Sequence, residues 1–105
     1  MLSHFDVVNV EDFGQLQAFA FEPELYTNTL KELDLAAYSS EVQGDLDKGN
    51  WLFGRGIMDM KAGLAMQLAV LSELSEKGFD GNLLLVSVPD EERNSDGMLS
   101  VIPFF

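Results

Sequence analysis

The chain has 105 residues, of which 47% are hydrophobic, and its 18 acidic side chains against 6 basic ones give a net charge of -12. This length fits one domain with a modest core, and the apolar content excludes a disordered chain. The absence of cysteine excludes disulfide scaffolds and thiolate metal sites, and the scarcity of Lys and Arg argues against a nucleic-acid partner. No apolar run reaches the roughly 20 residues of a membrane span. We therefore expect a soluble cytoplasmic protein without membrane contact.

The first half of the chain predicts one strand and one helix. Leu2–Val8 is typical of the end of a buried strand, and the acidic stretch Val8–Gly14 that follows predicts a loop. Leucines recur at helical spacing over Glu22–Ser39, which favours a helix there. The polar stretch Ser40–Asn50 predicts a surface loop.

The second half predicts a helix followed by a strand. From Lys61 to Lys77 leucines recur every three to four residues, and Gly78 supplies the stop, so we expect a helix that is heavily buried because it is apolar around much of its girth. The apolar run Asn82–Val88 predicts a strand covered on both faces. Together these elements predict the α/β class.

Both ends of the chain predict a piece of a longer protein. Leu2 opens directly on an apolar strand, and the chain finishes on the apolar run Val101–Phe105. A sheet cut in this way exposes an unpaired edge, and terminal phenylalanines exposed to water favour contact with another chain. We therefore expect the protein to self-associate through these exposed edges.

Polar residues that carry chemistry lie at three places next to buried elements. His4 and Asp6 are two residues apart, so on a strand their side chains point to one side. The carboxylate can then hold one ring nitrogen and leave the other free to bind a metal. A structural hydrogen bond alone is the commoner use of such a pair. Asp59 precedes the long helix, where it either serves a site or simply caps the helix. Glu91 and Glu92 follow the predicted strand, at the sheet edge where ligands bind in α/β folds.

The order of these pieces favours a cation site. Adjacent carboxylates repel one another, and either solvent or a divalent cation can offset that cost. One imidazole with several carboxylates suits zinc, manganese or cobalt. Of the two glutamates, one can bind the cation while the other transfers a proton.

Three segments resemble the M20 family of metallopeptidases and amidohydrolases. SHFDVV resembles the family's His-x-Asp strand end, GRGIMDMKAG its Gly-Arg-Gly-x-x-Asp-x-Lys-x-Gly segment, and PDEE its Glu-Glu pair. The stretch from GRGIMDMKAG through LLLVSVPDEERNSDGM is further similar to the branch that contains arginine-utilisation proteins. The resemblance implies a zinc-dependent exopeptidase-like sheet with helices packed on it, truncated at both ends.

The resemblance also implies a two-metal hydrolase of amide bonds in small peptides or N-acyl amino acids. It assigns His4 and Glu92 as metal ligands and Asp59 as the ligand that bridges two divalent ions, with zinc first and manganese or cobalt as alternatives. It also assigns Asp6 as the group that orients the imidazole and Glu91 as the general base. It further implies that the peptide bond after Asp59 is cis.

Some family parts have no counterpart in this sequence. The family uses a further acidic ligand, a second histidine and an inserted lid and dimerisation domain, whereas this chain has one histidine. We therefore expect residues 1–105 to be a partial catalytic domain that does not hydrolyse amides by itself, although its parent protein does. Two rival hypotheses stay open: a non-catalytic relative whose acidic edge binds metal or a partner, and a plain acidic α/β domain without a site.

Overall fold

The computed structural model describes residues 1–105, with two strands and four α-helices in the order β1 (Leu2–His4), α1 (Pro23–Glu32), α2 (Ser40–Lys48), α3 (Gly63–Lys77), β2 (Val86–Val88) and α4 (Asp96–Val101). Short 3-10 turns lie at Glu11–Phe19, Leu35–Ala37 and Ile102–Phe104, and a π-type turn lies at Ile57–Ala62. The chain divides into one unit of Met1–Val8 with Met58–Phe105 and a second of Asn9–Ile57. Helices combined with a parallel strand pair confirm the predicted α/β class. None of the helices has both the length and the apolar character needed to cross a membrane.

The first unit is built around a parallel pair of strands. Leu2 lies opposite Val86 and His4 lies opposite Val88. The innermost residues here are Ser3, His4 and Val88, of which His4 is only 5% exposed. Because parallel strands point the same way, the carboxyl ends of β1 and β2 lie at one edge of the sheet.

Helix α3 forms where the leucine spacing predicts it, but the expectation that it is heavily buried is wrong. None of its residues is buried, and Met66 and Leu68 are among its exposed side chains. The physical reason is the size of the sheet, since two strands of three residues each cover only one face of a 15-residue helix. Gly78 ends the helix with a positive φ of 79°, as predicted.

The strand predicted over Asn82–Val88 is shorter than expected and is not covered on both faces. Only Val86–Val88 pairs as a strand, and within it Val88 alone is buried while Ser87 is exposed. Leu84, in the part of the apolar run that precedes the strand, is 57% exposed. The run is apolar, but no second layer of side chains within this unit covers its other face.

The second unit contains a helix that the sequence interpretation missed. The prediction of a surface loop over Ser40–Asn50 is wrong, because α2 occupies most of that stretch. At the start of α2, Ser39 accepts a hydrogen bond from the backbone N–H of Val42, and at its end Gly49 is left-handed. Leu46 anchors the helix and is 2% exposed.

The other predictions for this unit hold in part. The helix predicted over Glu22–Ser39 forms as α1 but ends at Glu32. The loop predicted over Val8–Gly14 is interrupted, because a 3-10 turn begins at Glu11 and is broken by Gly14, whose φ of 54° is left-handed.

Candidate metal centre

The parallel sheet places the candidate residues at one edge. His4 is the last residue of β1 and lies opposite Val88, the last residue of β2. Glu91 and Glu92 follow in the turn directly after β2. The centre is therefore built where the carboxyl ends of two neighbouring strands meet, as is general for ligand sites of α/β sheets.

The buried imidazole of His4 is surrounded by oxygen atoms. Its Nδ1 lies 3.1 Å from the backbone carbonyl of Asp6 and 3.4 Å from the carboxylate of the same residue. Its Nε2 lies 3.0 Å from Oδ1 of Asp59 and 3.7 Å from Oε2 of Glu91. The structure thus brings His4 against three of the four carboxylates that the sequence singled out.

The carboxylate of Asp6 holds the glutamate turn in place. Its two oxygens accept hydrogen bonds from the backbone N–H groups of Glu91 and Glu92, both at 3.2 Å. Burial raises the pKa of Asp6, but these two N–H groups, the backbone of Asp6 itself and the charge of His4 together outweigh burial, so that the pKa lies below its usual 3.8. Asp6 therefore joins the end of β1 to the residues that follow β2.

Asp59 does not cap helix α3. The N-cap position belongs to Ala62, and no side chain bonds to the free N–H groups there. The carboxylate of Asp59 is instead directed at His4 and is 73% exposed, so the capping interpretation is wrong. The peptide bond between Asp59 and Met60 is cis, which confirms the prediction made from the family resemblance.

The closest group of possible cation ligands is His4 with the two glutamates. One imidazole nitrogen and one oxygen from each of Glu91 and Glu92 all lie within 4.8 Å of one another. Asp59 adjoins this group through its contact with His4. All five residues predicted to form the site are therefore gathered at one edge of the sheet.

The hydrogen-bonding state of His4 fits a cation at this point. The carbonyl of Asp6 can only accept, so the ring proton belongs on Nδ1, and the lone pair of a neutral imidazole is then on Nε2. That lone pair faces the lone pairs of the Asp59 carboxylate at 3.0 Å. Such an arrangement is repulsive unless a positive charge, either a second ring proton or a divalent cation, lies between or beside the two atoms. An imidazole with carboxylates is the donor set of zinc, manganese and cobalt.

The pKa of His4 reflects the same crowding of negative charge. Burial lowers this pKa, but the hydrogen bonds to Asp59 and to the Asp6 carbonyl and the negative charges of Glu91 and Asp59 together outweigh burial, and the pKa of His4 lies above its usual 6.5. Positive charge at this position is therefore stabilised by the surrounding carboxylates.

Three residues near the centre were not singled out from the sequence. Lys61 donates to the carbonyl of Phe5 at 3.2 Å, the Met60 sulfur accepts the N–H of His4 at 3.4 Å, and Gln67 donates to the carbonyl of Leu2 at 2.8 Å. The position of Lys61 inside the GRGIMDMKAG segment is a signal that could have marked it. Met60 stands at a position where the pattern of that segment specifies no residue type, and Gln67 lies outside the segment, so neither carries a comparable signal.

Comparisons with known proteins match nearly the whole chain. The model of peptidase family M20/M25/M40 matches residues 1–104. The uncharacterized protein YqjN of Bacillus subtilis (strain 168) is 49% identical over 104 residues, which are 98% of this chain and 19% of YqjN. Protein RocB of the same strain is 38% identical over 95% of this chain and 18% of RocB.

A third relative carries an activity in its name. Succinyl-diaminopimelate desuccinylase of Cereibacter sphaeroides is 33% identical over 91 residues, which are 85% of this chain and 23% of that enzyme. The chain thus spans about a fifth of the length of the curated relatives it matches. No solved structure matches the chain.

Proposed function

The chain belongs to peptidase family M20/M25/M40, and we propose that it forms part of a metal centre that hydrolyses amide bonds in small peptides or N-acyl amino acids. The observation that carries this proposal is the arrangement around His4, in which a buried imidazole with its proton on Nδ1 directs Nε2 at a carboxylate 3.0 Å away. The name of the desuccinylase relative supports the same class of reaction. The sheet is proposed to be the edge of a zinc-dependent exopeptidase-like domain.

The residues that would hold divalent cations are His4, Asp59 and Glu92. Asp59 is proposed as the group shared between two ions, which accords with its exposed carboxylate and its position beside His4. A bound divalent cation supplies Lewis acidity, polarising a carbonyl and acidifying water, and zinc is proposed ahead of manganese or cobalt. Asp6 keeps the proton of the imidazole on Nδ1 and holds the glutamate turn.

Glu91 is proposed as the general base. Its carboxylate is 53% exposed and reaches to 3.7 Å from His4 without a closer bond to the ring. An exposed carboxylate of this kind can accept a proton from the water that attacks the amide carbon and return that proton to the leaving nitrogen. One water is consumed, and one carboxylic acid and one amine are released.

Amide hydrolysis is proposed to need more than these 105 residues. The chain contains a single histidine and spans about a fifth of the length of its relatives. We expect the isolated chain to bind zinc without hydrolysing amides, and a longer protein that includes it to be active.

Calorimetric titration with zinc chloride tests the metal proposal. The wild-type chain is expected to bind zinc, His4→Gln to lose most of that binding, and Asp45→Asn, which removes a carboxylate of α2 that is not among the proposed ligands, to keep it. Equal binding by wild type and His4→Gln would contradict the proposed centre. In the longer protein, Glu91→Gln is expected to lower hydrolysis of an N-acyl amino acid about 10²- to 10⁴-fold while zinc binding persists.

A further inference from the structure

Strand β1 has side chains, not another strand, along its outer edge. The residues on either side of β1 bond to β2 through the carbonyl of Met1 and the N–H of Phe5. In a parallel pair the main-chain groups of alternate residues point to opposite edges, so those of Leu2 and His4 face away from β2.

Two outward groups of β1 and the first carbonyl after it are bound by three side chains that we call the clasp. Its members are Met60 on the N–H of His4, Lys61 on the carbonyl of Phe5 and Gln67 on the carbonyl of Leu2. All three lie within eight positions after Asp59 in the sequence. The clasp therefore ties the segment that carries Asp59 to the strand that carries His4.

We propose that Lys61 is a positioning residue of the metal centre, because its ammonium group fixes the Phe5 carbonyl and thereby sets the spacing between His4 and Asp59. This inference rests on the proposed function. Phe5 lies between His4 and Asp6, and Lys61 is two residues beyond Asp59. The Lys61–Phe5 bond thus joins the two segments next to their functional side chains, at 3.2 Å.

A positioning role and a purely electrostatic role predict opposite results. Lys61 carries a positive charge, and a nearby positive charge repels a second cation. If that charge were its whole influence on the centre, Lys61→Met would strengthen zinc binding. If Lys61 positions the donors, Lys61→Met weakens zinc binding although a repelling charge has been removed.

The test compares zinc titration of the wild-type chain with three variants. Lys61→Met is expected to weaken zinc binding roughly three- to tenfold, the range that one hydrogen bond contributes. Lys61→Arg keeps a cationic donor and is expected to restore most of the affinity. Lys77→Met removes the same charge from the last residue of α3, where Lys77 pairs with Glu73, and is expected to leave the affinity nearly unchanged.

Amide hydrogen exchange without zinc gives a second readout that does not depend on metal binding. Lys61→Met is expected to speed exchange of the His4 amide about three- to tenfold, while amides of α2 keep their wild-type rates. Zinc binding by Lys61→Met that equals or exceeds wild type would overturn the proposal. If the wild-type chain binds no zinc, the proposed metal centre of this chain fails, and unchanged His4 exchange in Lys61→Met would then overturn the positioning role as well.

Discussion

Replacing Gly97 with alanine tests how closely helix α4 packs against the turn that carries the glutamates. Gly97 is the second residue of α4. A Cβ atom added there would lie 2.4 Å from the carbonyl oxygen of Pro89 and 2.6 Å from its Cδ, both well under the 3.0 Å that real Cβ atoms keep. Because one of these atoms is backbone, the chain at Pro89 must move to admit the methyl group.

The expected cost follows from two opposing effects. Overpacking of this kind costs about 1–3 kcal/mol, and alanine in a helix gains about 0.5–1 kcal/mol over glycine. We therefore expect Gly97→Ala to lower the free energy of unfolding by about 1–2 kcal/mol. Since Pro89 precedes Glu91 by two residues, the displacement should also weaken zinc binding.

Urea unfolding followed by circular dichroism measures the change, and Gly44→Ala is the matched control. Gly44 lies inside α2, where an added Cβ would meet no atom within 4 Å. This control is expected to raise the free energy of unfolding by about 0.5–1 kcal/mol. If Gly97→Ala unfolds at the same urea concentration as wild type or at a higher one, the close packing of α4 against Pro89 is wrong.

Three further predictions concern pH, capping and association. Because folding raises the pKa of His4, the stabilising contribution of His4 is fully present below pH 6.5 and is lost as the pH rises through the folded pKa. Urea unfolding without zinc should show this decline in the free energy of unfolding of the wild-type chain. The same decline in His4→Gln would contradict the prediction. Ser39→Ala should lower the free energy of unfolding by about 0.5–1 kcal/mol, because the bond to Val42 at the start of α2 is lost, whereas Ser39→Asp should keep the wild-type value. Phe104 and Phe105 are 85% and 74% exposed, so light scattering should show an apparent mass that grows with protein concentration. Replacing both residues by serine should lower this apparent mass. A constant monomer mass of the wild-type chain would contradict self-association.

The gathering of the candidate site could be predicted from the sequence because it depends on a general property of parallel sheets. His4 ends one strand and the Glu91–Glu92 pair follows another, so strand direction alone brings them to one edge. The clasp could not be predicted in this way. The bond from Lys61 joins residues 56 positions apart and ends on a carbonyl, and main-chain acceptors leave no trace in residue types.

The errors in the fold have a different physical origin. Helix α2 has only Val42 and Leu46 as apolar residues among polar ones, too narrow a stripe to distinguish a helix from a loop; the better signals were the residues at its two ends, Ser39 and Gly49. For α3 the leucine period predicts a helix, but how far its faces are covered depends on the area of the neighbouring sheet, which periodicity does not report.

The pairing of β1 with β2 has a consequence for how the protein is made. Ser3 bonds to the carbonyl of Val86, 83 positions later in the chain. During translation the first strand therefore leaves the ribosome long before its partner has been synthesised, and loop closure over such a distance is slow compared with the formation of local helices. The imidazole and the glutamates consequently come together only once residues 86–92 have emerged, after the helices between them have had time to form.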